Sequence, residues 1–265
     1  MWANINGINI YYEDKGQREA VLLVHGFPLN RTIWMPQVRA LVPRYRVILA
    51  DLRGHGRSDA PPGPYPMDLY ADDLAALLDH LQVPRVVLGG LSMGGYIAFA
   101  FYRKYAPRVR ALILADTRAG ADTPEGRARR EAGARLAEQE GAAAVAAQML
   151  PNLLSPHTRA RRPALVARVQ SMMVRTKPVG IVGAQRGMAQ RPDSLPLLPT
   201  IAVPVLILVG EDDALTPPAE AERMAAAIPG ARLVRISQAG HLPTLENARA
   251  VNRALRDFLA ALDQL

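Results

Sequence analysis

The chain of 265 residues contains no cysteine, which excludes disulfides, thiol nucleophiles and thiolate metal sites. No stretch approaches the roughly eighteen consecutive apolar residues of a membrane-spanning helix, so no membrane partner is expected. The opening segment, MWANINGINIYYEDKG, lacks a basic region followed by an apolar one. No secretory signal is therefore expected, and the cytoplasm is the default location. Aromatic residues make up 5% of the chain, and none is interleaved with its one concentration of positive charge. Between Arg118 and Arg191 stand thirteen Arg/Lys against five Asp/Glu, while the remainder carries 19 of each sign. The whole net charge of +8 thus sits in one alanine-rich, helix-like stretch. Such clustering can draw in anions, but no recognition motif accompanies it, and a solvated helical face explains it as well. No nucleic-acid partner is expected.

What is present suits one substantial core: 49% apolar and 21% charged residues, a balance typical of globular domains. Short β-rich blocks (GINIYYED, AVLLVHG, YRVILADLRGHG, RVVLGG, VRALILAD, VPVLILVGEDD, ARLVRIS) alternate with helix-period segments (RTIWMPQVRALV, MDLYADDLAALLDHLQ, MGGYIAFAFYRKYA, PAEAERMAAAI, ARAVNRALRDFLAAL). Strands spaced by helices mean parallel β-α-β units, and uninterrupted Val/Ile/Leu runs fit strands covered on both faces. The predicted fold is α/β, a doubly wound, mostly parallel sheet. The alternation fails between about Ala119 and Leu198, where EGRARREAGARLAEQEGAAAVAAQML and RPALVARVQSMMVRT read as helices. The expected organisation is therefore a core of residues 1–118 and 199–265 with a helical cap, 119–198, above the strands' carboxyl ends, where such sheets bind ligands.

The segment GLSMG, residues 90–94, fits G-x-S-x-G between a strand and a helix. In such an elbow the serine is strained so that its hydroxyl stands clear of the sheet. Side chains two residues before and after it would collide, which accounts for Gly90 and Gly94. Ser92 is the candidate nucleophile, and it needs a base and an orienting acid. Of five histidines, His241 follows a strand on the same sheet edge. His25 and His55 fit backbone-shaping roles in their turns, His80 ends a helix, and His157 lies in the inserted segment. For the acid, LVGEDDALTPP offers Asp212 and Asp213, with Asp213 preferred. Asp116, ending VRALILAD, is the runner-up, and Asp51 reads as an acceptor for loop amides. Two N–H groups should meet the developing oxyanion. Met93 follows the nucleophile, and Phe27 precedes Pro28, which cannot donate.

Together VHGFPLNRTIW, ADLRGHGRSD, GGLSMGGYIAFAF, LVGEDDALTPP and AGHLPTLEN resemble the α/β-hydrolase superfamily over essentially the full length. The branch they resemble comprises small bacterial carboxylesterases and 3-oxoadipate enol-lactonases. The resemblance implies a Ser92–Asp213–His241 triad, oxyanion donors at Phe27 and Met93, and no metal or organic cofactor. HGFPL also resembles cofactor-free haloperoxidases and perhydrolases. Dehalogenase and epoxide-hydrolase relatives carry an aspartate at the elbow, and Ser92 argues against both. The expected activity is hydrolysis of small short-acyl carboxylic esters through an acyl-enzyme. An enol-lactonase acting on an anionic lactone, a perhydrolase- or haloperoxidase-like side activity and a non-catalytic ligand receptor are the alternatives.

Overall fold

The uninterrupted apolar runs become the middle of the sheet. The structure, a computed structural model, describes residues 1–264. Its eight strands are β1 (Trp2–Ile5), β2 (Ile8–Lys15), β3 (Ala20–Val24), β4 (Arg46–Ala50), β5 (Val86–Leu91), β6 (Val109–Ala115), β7 (Val205–Gly210) and β8 (Arg232–Ile236), in the order β1-β2-β4-β3-β5-β6-β7-β8. Every residue of β3, β5 and β7 is buried. Their side chains still alternate: Leu22 and Val24 enter one core cluster, Val21 and Leu23 the other. A continuous apolar run is thus what a strand covered on both faces requires. The parallel pairs run from β4 to β8, and β1 and β2 add antiparallel strands at one edge.

The predicted opening strand GINIYYED forms β2, and β1 precedes it to complete a hairpin. Asn6 and Gly7, both at positive φ (49° and 79°), form its two-residue turn, the backbone such a hairpin demands. Helices α2 (Met67–His80) and α3 (Met93–Tyr105) cover one face of the sheet, and α1 (Met35–Leu41) and α10 (Ala248–Leu262) cover the other. In α10, Val251, Ala254, Leu255, Phe258, Leu259 and Leu262 are buried, a stripe at helical period. Helix α8 (Pro218–Ala227) joins β7 to β8, and the short α9 (Pro243–Glu246) precedes α10.

Between β6 and β7 come α4 (Pro124–Leu153), α5 (Pro156–Arg161), α6 (Pro163–Val174) and α7 (Pro178–Ala189). The long α4 is broken at Gly141, whose φ of 79° is not helical. Helix α7 holds three glycines on the side that meets the core. A Cβ at Gly180 would collide with the Gly54 carbonyl, at Gly183 with the Tyr65 ring, and at Gly187 with the Tyr65 carbonyl.

Candidate active site

Every polar residue of interest sits just beyond the carboxyl end of a strand. Ser92 follows β5 and caps α3 with φ 56° and ψ −114°, a strained conformation that surrounding structure must hold. Its N–H donates to the Ala115 carbonyl at 2.9 Å, and its carbonyl accepts from Thr117 Oγ1 at 2.8 Å. The glycines meet the bend on all sides. A Cβ at Gly90 would strike the Gly94 carbonyl, and one at Gly94 would lie 2.5 Å from the Val24 carbonyl. At Gly26 a Cβ would come within 3.2 Å of Ser92 Cβ, which brings the loop after β3 against the serine.

Asp213, after β7, and His241, after β8, are both buried and joined Nδ1 to Oδ2 at 2.8 Å. Asp213 Oδ2 also accepts from Thr216 Oγ1 at 2.7 Å, and Oδ1 accepts the Leu215 and Thr216 amides at 2.8 and 3.1 Å. Burial pushes this carboxyl up, but His241 and the Thr216 hydrogen bonds outweigh it and hold the group at about 2. Asp212 is exposed. Glu246 steadies the histidine loop by accepting the Gly240 amide at 2.9 Å and the Ser155 amide at 2.8 Å.

The structure therefore brings Asp213 and His241 into direct contact, and Ser92 onto the same sheet edge. Asp116, one residue beyond the acceptor of the Ser92 amide, offers a carboxyl oxygen within 4.8 Å of both Asp213 and His241. Among the described residues no protein hydrogen bond links Ser92 Oγ to the imidazole, and such bonds are often loose before substrate binds. The Asp116–Asp213–His241 group is dense enough to face a cation. Hydrogen bonds within the protein reach both Asp213 oxygens and His241 Nδ1. Phe27 is buried and Met93 opens α3; among the described residues neither amide donates to a protein acceptor, and a helix's first N–H has no intrahelical partner.

The other histidines do structural work or face solvent. His25 Nδ1 donates to the Gly26 carbonyl at 2.9 Å and Nε2 accepts the Leu52 amide at 3.0 Å, which fixes its tautomer. Burial depresses His25 to about 4 and His55 to about 3. His55 Nδ1 pairs with the Arg53 carbonyl, and His80 and His157 are exposed. Asp51 accepts the Arg31 and Arg57 amides. Thr216, Thr117 and Glu246 were not singled out from sequence. Thr216 had a signal, a hydroxyl three residues after an aspartate in a turn. The other two are long-range contacts.

A family model described as alpha/beta hydrolase fold matches residues 19–248. The chain belongs to the α/β-hydrolase family. This hydrolase is similar to the solved structure of a thermophilic esterase from Thermogutta terrifontis, malate bound, with 44% identity, TM-score 0.96, and coverage of 99% of this chain and 98% of that one. It is also similar to the enol-lactonase from Burkholderia xenovorans, with 32% identity, TM-score 0.92, and coverage of 98% and 100%. Among curated proteins, 3-oxoadipate enol-lactonase 2 of Acinetobacter baylyi is 29% identical over 94% of this hydrolase and 92% of its own length. No helix among the described residues is long and apolar enough to cross a membrane.

Proposed function

We propose that this α/β-hydrolase cleaves small short-acyl carboxylic esters, with Ser92 as nucleophile, His241 as base and Asp213 as its orienting acid. The observation that carries this reading is the buried 2.8 Å pairing of His241 Nδ1 with Asp213 Oδ2, on the sheet edge where a strained Ser92 opens a helix. With Nδ1 engaged, Nε2 is the nitrogen left to take the serine proton. Ser92 Oγ attacks the ester carbonyl, and His241 accepts the hydroxyl proton and returns it to the leaving alcohol. A water activated by the same imidazole then releases the acyl group. Asp213, held at about 2, stays ionised and stabilises the imidazolium. The Phe27 and Met93 amides meet the oxyanion; such a donor contributes about 10² to 10³ in rate.

Helices α4 to α7 act as the cap. Two contacts support that role: the His241 amide donates to the Leu153 carbonyl at 3.1 Å, and Thr176 Oγ1 donates to the Pro28 carbonyl at 2.8 Å. A nitrophenyl acetate assay tests the whole reading. Ser92→Ala and His241→Ala should each lower kcat by at least about 10⁴-fold, and full activity in Ser92→Ala would end it.

A second reading, an enol-lactonase-like preference for an anionic ester, is favoured by the thirteen Arg/Lys against five Asp/Glu between Arg118 and Arg191, the stretch that holds α4 to α7. Faster, salt-sensitive turnover of an anionic ester over a neutral one of equal size would support it. Equal, salt-independent rates would remove it.

A further inference from the structure

Two buried carboxyl groups stand behind the His241 imidazole, and the reaction uses one of them. Asp116, at the end of β6, has a carboxyl oxygen within 4.8 Å of both Asp213 and His241. The two carboxyls are treated very differently by their surroundings. Asp213 receives four donors: two backbone amides, the Thr216 hydroxyl and His241 Nδ1. Asp116 receives one, the Gly210 amide on Oδ1 at 2.8 Å; its Oδ2 is buried with no partner. An ionised carboxylate with one oxygen unpaired, beside a second carboxylate, is expensive in a dry interior. A protonated Oδ2 is a donor, and the Asp213 carboxylate is the side-chain acceptor that neighbours Asp116, within 4.8 Å. The proton therefore belongs on Asp116 and the negative charge on Asp213.

We propose that Asp116 is a neutral carboxylic acid that donates its Oδ2 proton to Asp213, making it a positioning residue for the Asp213–His241 pair. The kinetic part of this inference rests on the esterase reading; the protonation state does not. Burial, and then the charge of Asp213, push the Asp116 carboxyl well above its ordinary range, and Glu246 adds to this while the Gly210 amide opposes it. The groups facing Asp116 are Asp213 from the loop after β7, His241 from the loop after β8 and Glu246 from α9. Its backbone sits at φ 44°, and its amide is tied to the Leu208 carbonyl at 2.9 Å. The strained turn aims the carboxyl along the sheet edge and away from solvent. The consequence for chemistry is a single negative charge behind the imidazole. A second one would raise its proton affinity and slow release of the proton to the leaving alcohol.

The deciding experiment is infrared spectroscopy of the resting protein at neutral pH, with Asp116→Asn subtracted from the unsubstituted chain. A protonated-carboxyl carbonyl band should be present in the parent and missing in the variant. No lost band overturns the proposal, whatever the protein's activity. In the ester assay, Asp116→Leu, which removes the donor, should lower kcat by about 10- to 100-fold with KM unchanged. Asp116→Asn, which restores a neutral N–H donor, should recover all but a few-fold of that loss. The acid limb of the Asp116→Asn rate profile should stay in place, because no charge has been removed. A limb displaced to lower pH would mean that a carboxylate had been lost from beside His241, and would overturn the proposal. An inactive parent chain that still shows the band would sink the esterase reading and leave the shared proton standing.

Discussion

Thr216 Oγ1 donates to the same Asp213 oxygen that accepts the hydrogen bond from His241 Nδ1, and lies 3.3 Å from that nitrogen. Its hydroxyl therefore fixes the rotation of the carboxylate against the ring. Thr216→Val keeps the shape and removes the donor. We expect kcat to fall on the order of 10-fold with KM unchanged, since a hydrogen bond to a charged group contributes about 1.5–3 kcal/mol and two backbone amides still hold Oδ1. Steady-state kinetics on a neutral ester checks this. At this scale the elbow was legible in sequence, because Gly90 and Gly94 are demanded by contacts within a few residues of Ser92 and with the adjacent strand. The choice among Asp212, Asp213 and Asp116 was less so. It depends on how the loop after β7 turns back over the end of β6, where Asp213 pairs with His241 Nδ1 at 2.8 Å and Asp116 lies within 4.8 Å of both.

Among the elements, α7 is the one whose sequence argues against its structure. PVGIVGAQRGMA carries three glycines, each costing roughly 1 kcal/mol of helix propensity relative to alanine. Packing explains them: Gly180, Gly183 and Gly187 let the helix backbone rest on the Gly54–Tyr65 loop. Gly187→Ala should lower Tm by about 5 °C, from an overpacking cost of roughly 1–3 kcal/mol. Gly120→Ala is the control, because nothing lies within 4 Å of its added methyl group, and it should leave Tm in place. Calorimetry distinguishes the two. The central strands were legible because burial on both faces leaves a continuous apolar signature. The hairpin strand Trp2–Ile5 was not, since its exposed, alternating residues look like an ordinary surface. The break at Gly141 was hidden inside an alanine-rich run of good helix formers.

Across the whole molecule, the excess of positive charge between Arg118 and Arg191 is partly internal. Asp122 is buried and pairs with Arg118, Arg130 and Arg191, at 2.6, 3.1 and 2.6 Å. Arg191, itself buried, also donates to the Gly120 carbonyl and lies over the Tyr96 ring at 4.2 Å. This one carboxylate thus ties the start of α4 and the chain after α7 to the loop following β6. Burial opposes its ionisation, and the Arg191 and Arg130 contacts overcome it, leaving the group well below the ordinary carboxylate range. A depressed folded pKa stabilises the protein above about 3.8, and that stability is lost as pH falls through the folded value. Asp122→Ala should cost about 3–5 kcal/mol at neutral pH, because it strands a buried guanidinium. It should also flatten the acid side of the stability curve. Urea unfolding of both chains from neutral pH down to about 3 measures each effect, and an unchanged midpoint at neutral pH would show that the arginines find other partners. Composition showed where the charge lies but not how much of it is neutralised, because Asp122 is one of five acids among thirteen bases until the chain folds around it.

The bonds from Leu153 to the His241 amide and from Thr176 to the Pro28 carbonyl carry a consequence for descent. Helices that would be exchanged to admit a new substrate are fastened to the loops that would perform the reaction. Given the proposed cap and triad, substitutions that shift the end of α4 or the turn after α6 should alter turnover along with selectivity.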